Sequence, residues 1–129
     1  RSTNLTAENM QTLVDSKYAD VRIFAGQSLL TANPELIEEF GFDLLIDEDT
    51  IVRSTTIRAM ASRRTPGWIK VLSRSLLDED FVIQRAAMDG LLAGGPEGVK
   101  ALQEFVSKNP RNRISSLASS ELRIRGVQP

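Results

Sequence analysis

The residues best suited to chemistry are two acidic triplets, Asp47-Glu48-Asp49 and Asp78-Glu79-Asp80, whose first members stand 31 residues apart. Carboxylates can move protons or hold a hard cation, and here they are the one route left to catalysis, because the chain has no His and no Cys. Nucleophile triads built on either residue are excluded, and no Ser-x-x-Lys or G-x-S-x-G arrangement is present. The triplets lack the central Gly and distal Glu of an EF-hand loop. Gly94-Gly95-Pro96-Glu97-Gly98 is Gly-rich, but it has no Lys and hydroxyl ending to place on phosphates and Mg²⁺. The chain therefore reads as a non-enzyme, with no cofactor and no metal.

Each triplet is followed by an aliphatic helix start, Thr50-Ile51-Val52-Arg53 or Phe81-Val82-Ile83-Gln84-Arg85. Short acids in that place cap open N–H groups and suit the positive end of a helix, while weak cation binding across turns about 10 Å apart is the competing reading. The unit repeats. Val21, Val52, Ile83 and Ile114 are spaced by 31, and each is followed eight residues later by Leu29, Met60, Leu91 or Leu122. A period in the range of about 20–50 residues points to a stacked array.

Each period holds two helix-length segments, A and B. The first A helix is expected at 6–15, with Met10, Leu13 and Val14 inward, and the first B helix at 19–31, with Val21, Phe24, Ala25, Ser28 and Leu29 inward. Asn33-Pro34, Thr65-Pro66 and Gly94-Gly95-Pro96 are start signals for the later A helices, because Pro fits the first helical position. Asn109-Pro110 is expected to open the last B helix, Gly41 to loosen the second A helix, and the tail 126–129 to fray. Trp68 falls on an inward face and reads as core. No stretch alternates with period two, so the chain is all-α, a single domain with repeats at 5–32, 33–64, 65–94 and 95–125.

At 129 residues, with 41% hydrophobic and 26% charged residues, the chain can bury a core unaided. A net charge of −1 gives no overall pull on nucleic acid or an anionic membrane. Charge is segregated locally instead: positions 34–49 hold seven acids and no base, and positions 51–74 hold six bases and no acid. No apolar run could span a bilayer, and no secretory leader is visible. The lack of Cys fits a reducing compartment, and a cytoplasmic location is expected. Because the chain starts at Arg1, a leader or upstream domain is expected to have preceded it. The serine-rich last helix reads as a polar cap, so the natural chain is expected to end nearby.

The Pro-started A helices and the D-x-D-x-x-V-R-like entry to helix B resemble HEAT repeats, in particular the short HEAT-like type also found in phycobilisome lyases. The residues that carry the resemblance are Asp47, Asp49, Val52 and Arg53, Asp78, Asp80 and Ile83, Asp20, Val21 and Arg22, and Pro34, Pro66 and Pro96. The resemblance implies a right-handed α-solenoid of about four two-helix repeats whose B helices line a concave face. It also implies a ladder of turn acids and B-helix bases, Asp47 and Asp78 with Arg22 and Arg53, left incomplete by Gln84 and Ser115. For function it implies a protein-binding scaffold above all, with nucleic-acid binding or a role as accessory subunit of an enzyme such as a bilin lyase as the other family precedents.

Advancing about 100° per residue from Val52 places Arg53, Ser54, Ile57, Arg58 and Ala61 on the far side of the second B helix. The same offsets give Arg22, Ile23, Gly26, Gln27 and Leu30, then Gln84, Arg85, Met88, Asp89 and Leu92, then Ser115, Ser116, Ser119, Ser120 and Arg123. The expected partner-binding residues are Arg22, Ile23, Arg53, Ile57, Arg58, Arg85, Met88 and Asp89, a mixture of Arg and apolar anchors suited to an acidic or amphipathic protein segment. The competing account is that packing covers the aliphatics and that the arginines serve the ladder. Nucleic acid is the alternative partner, through Arg53, Arg58, Arg63 and Arg64, although the net charge opposes it.

Overall fold

The computed structural model describes residues 5–129. Among them are eight helices and no strand: α1 (Ala7–Val14), α2 (Ala19–Ser28), α3 (Pro34–Leu45), α4 (Thr50–Arg63), α5 (Trp68–Ser75), α6 (Phe81–Leu92), α7 (Gly95–Lys108) and α8 (Arg113–Ile124). No helix among the described residues is long and apolar enough to cross a membrane. Helices of this length are marginal alone in water, so each depends on the faces it buries.

The chain divides into two compact units, the first ending at Pro66 and the second being Gly67–Pro129. In the first unit α1 packs on α2 and α3 on α4, and the two hairpins lie side by side with α1 on α3 and α2 on α4. Its core includes Met10, Leu29, Ile37, Phe40, Leu44 and Val52, all within 1% of full burial. In the second unit α5 packs on α6, α7 on α8, α5 on α7 and α6 on α8, but α6 also packs closely along α7, where the matching α2–α3 contact of the first unit is slight. Leu72, Leu76, Ile83, Leu91, Leu102, Ile114 and Leu122 fill it. This sequential packing of like helices is consistent with a helical repeat.

Side-chain capping fixes where α4 and α6 begin, whereas α2 starts behind Tyr18 without it. Oδ1 of Asp49 accepts from the N–H groups of Ile51 at 2.8 Å and Val52 at 3.2 Å. Oδ1 of Asp80 accepts from Val82 at 2.8 Å. One step back, Asp47 and Asp78 accept from the N–H groups of Asp49 and Asp80 at 2.9 and 2.8 Å. The two triplets are thus paired turn-and-cap devices.

Four local expectations are corrected. α5 starts at Trp68 behind Gly67, whose φ of 86° makes it the turn residue, so Thr65-Pro66 precedes the helix without opening it. α8 starts at Arg113 with Asn112 as its cap, Oδ1 accepting from Ile114 at 3.1 Å, in place of Asn109-Pro110. Gly41 is buried against the Met60 thioether and leaves α3 unbroken. The tail is tied down, because Val127 N–H reaches the Leu122 carbonyl and Gly126 N–H that of Arg123, the paired bonds of a Schellman ending.

Candidate functional site

The ladder position has a role in all four hairpins. Arg22 donates from Nη1 to the Ser16 carbonyl at 3.0 Å, and Arg53 from Nη1 to that of Asp47 at 2.7 Å. Gln84 donates to the Leu76 carbonyl at 2.6 Å, and the Ser115 hydroxyl to that of Asn109 at 2.6 Å. Whatever its chemistry, this side chain ties a B helix back to the turn or helix end before it.

Arg22 also grips Asp47 across the first unit, Nε to Oδ2 at 2.7 Å and Nη2 to Oδ1 at 3.2 Å. Burial by itself would raise the Asp47 carboxyl. The Arg22 hydrogen bond, the Asp49 N–H and the charges of Arg22 and Arg53 outweigh it and hold the carboxyl below its ordinary value. The same bond to Asp47 raises the Arg22 guanidinium.

In the second unit Gln84, only 2% exposed, stands in place of this arginine as a neutral side chain within a hydrogen-bonded network. Its Nε2 also reaches Asn112 Oδ1 at 3.0 Å, and Arg113 donates from Nε to its Oε1 at 2.8 Å and from Nη2 to the Glu79 carbonyl. The departure from Arg visible in the sequence does not leave the position empty.

Of the residues expected to bind a partner, Ile57 and Met88 are fully buried and cannot serve as surface anchors. Their register equivalent in α2 is Gly26, whose Cα faces Thr55 and Thr56 of α4, so this offset points at a neighbouring helix. Arg22 and Arg53 are half-buried and tied to their turns. Ile23 is half-exposed, and Arg58, Arg85 and Asp89 are exposed.

The open arc of each B helix lies elsewhere. In α4 it is Ile51, Arg58 and Ser62, with the half-buried Thr55 between them partly covered by Gly26, and the positions 31 earlier are Asp20, Phe24, Gln27 and Thr31. α2 and α4 pack on each other, and their exposed residues include Phe24 at 53% and Ile51 at 58%, with Arg58 two turns along α4 from Ile51 and Gln27 one turn along α2 from Phe24. Sequence reasoning assigned Phe24 inward and passed over Ile51. The spacing of Ile51 seven residues before Arg58 was the signal available. In the second unit the matching positions are Val82, Ala86, Asp89 and the cap residue Ala93 along α6, of which Ala86 is buried, and Arg113, Leu117, Ser120 and Ile124 on α8, of which Leu117 is half-buried. There Val82 is 53% and Ile124 78% exposed, and the Arg113 guanidinium stands 5.3 Å from the Phe81 ring.

The basic group on α4 is also reduced. Arg63 donates from Nη1 to the Leu29 and Ala32 carbonyls at 2.8 and 2.7 Å, closing the end of α2. Comparison with protein families, curated proteins and solved structures finds no match for the chain.

Proposed function

We propose that this chain is a non-catalytic binding scaffold of HEAT-like repeats whose B-helix strip holds an amphipathic segment of another protein. The observation that carries the reading is the first-unit strip. Phe24 and Ile51 stand more than half exposed on helices whose cores are complete without them, and Arg58, exposed two turns along α4 from Ile51, can meet an acid on the partner. The 31-residue period, unbroken in sequence from Val21 to Ile114, supports a right-handed solenoid of four repeats. The lack of Cys supports a cytoplasmic setting. The use of Arg63 on carbonyls weighs against nucleic acid as the partner.

The test compares the tagged wild-type chain with Ile51→Asp/Arg58→Glu in affinity purification from the native cell. A protein enriched by the wild type and lost by the variant, with circular dichroism unchanged, supports the reading. Equal recovery refutes the strip. Duplex binding that falls steeply with salt would replace protein by nucleic acid, and copurified pigment would favour the lyase-subunit role.

A further inference from the structure

We propose that the outward face of α3 docks a basic amphipathic helix of another protein, a surface separate from the B-helix strip and independent of the reading given to it. Phe42 and the C-cap residue Ile46, whose N–H donates to the Phe42 carbonyl, lie one turn apart along the centre of this face, with Glu35 in line with them. Glu39 and Asp43 flank them on one side and Glu38 on the other. At 3.6 residues per turn these six side chains fall within an arc of about 140°. All six are exposed, Phe42 at 50% and Ile46 at 80%. The opposite arc buries Leu36, Ile37, Phe40 and Leu44, so α3 completes its packing without the outer pair.

An ordinary solvated A helix in the same chain looks different. On α7 the exposed Glu97, Lys100, Glu104 and Lys108 alternate in sign at spacings of three and four, and no large apolar side chain is exposed there. α3 carries no base. Its pairs Glu35 with Glu39 and Glu39 with Asp43 are like charges one turn apart, which weaken an isolated helix, and Asp43 sits in the last turn, where the helix dipole opposes an anion. None of the four carboxylates has an ion pair among the described residues. The face therefore carries like-charge strain and bare apolar area together.

Charge complementarity selects the occupant. A helix with leucines one turn apart would cover Phe42 and Ile46, and Lys or Arg on both flanks of that stripe would stand opposite the carboxylates. The same carboxylates repel nucleic acid and anionic lipid.

The probe is a labelled synthetic helix bearing a leucine stripe flanked by arginines, titrated into the full chain by fluorescence anisotropy beside a scrambled peptide of equal composition. The expected result is binding by the stripe peptide at least tenfold tighter than by the scrambled one. Phe42→Ser/Ile46→Ser and Glu39→Lys/Asp43→Lys should each weaken it at least tenfold with helicity unchanged. Equal affinity for the two peptides, or for wild type and both variants, overturns the proposal. So does self-association in sedimentation that Lys70→Glu/Arg74→Glu abolishes, since the occupant would then be the basic α5 face of a second copy.

Discussion

Gly41 and Gly98 both lie inside helices, and helix propensity alone predicts that replacing either by Ala gains up to about 1 kcal/mol. Their surroundings predict opposite signs. A Cβ at Gly98 would overlap the Leu91 carbonyl oxygen and stand 3.0 Å from its carbon, so the obstacle is the backbone of α6. Relief requires α7 to retreat by about 1 Å, which forfeits a quarter to a half of the dispersion along that seam. Overpacking costs about 1–3 kcal/mol, and a backbone obstacle belongs at the upper end. Less the propensity gain, Gly98→Ala should lose about 2 kcal/mol, or roughly 6–8 °C in Tm for a chain of this size. A Cβ at Gly41 meets only the Met60 Sδ at 3.2 Å and Cε at 3.3 Å, the far end of a flexible thioether. Gly41→Ala should therefore gain about 0.5 kcal/mol. Urea unfolding followed by circular dichroism reads both variants. Fluorescence of Trp68, the sole Trp and buried in the second unit, isolates the Gly98 effect. A stabilised Gly98→Ala would refute the close approach of α7 to α6, and a Gly41→Ala as damaging as Gly98→Ala would refute the yielding of the Met60 thioether.

The Asp47 carboxyl sits below its ordinary value in the fold. Its stabilisation is thus complete above the unfolded value, roughly pH 4, and drains as pH falls through the folded one. Asp47→Asn should lower the urea midpoint at neutral pH and flatten its decline below roughly pH 4; an unchanged acid limb would contradict the Arg22 pairing. Arg63→Ala takes a charged donor from the Leu29 and Ala32 carbonyls and should cost about 1–3 kcal/mol in denaturation, with no loss signalling that water substitutes fully. Ile57→Ala should cost about 2–4 kcal/mol as a core truncation, whereas Ile51→Ala should stay within about 0.5 kcal/mol. The reverse order would return Ile57 to the surface.

The sequence by itself determined the helices, their order and the acidic turns, because these rest on forces that act over two to four residues. Asp49 caps the N–H groups two and three positions ahead and Asp80 the one two ahead, and the spacing of Val52, Thr56 and Met60 marks one inward stripe whatever lies against it. Start signals were less exact where two local options compete: Thr65-Pro66 and Gly67 are both plausible entries, and only the left-handed turn at Gly67 chose between them. The tertiary structure alone decided which arc of a B helix meets solvent. A pattern of apolar residues reveals the stripe laid on the hairpin partner, but a further arc closes on other helices through small or polar contacts such as Gly26 against Thr55 and Thr56. Amphipathicity does not mark that second contact. Ile57 and Met88 are consequently buried, Phe24 and Ile51 are open, and the surface on which any partner must settle follows from packing between hairpins.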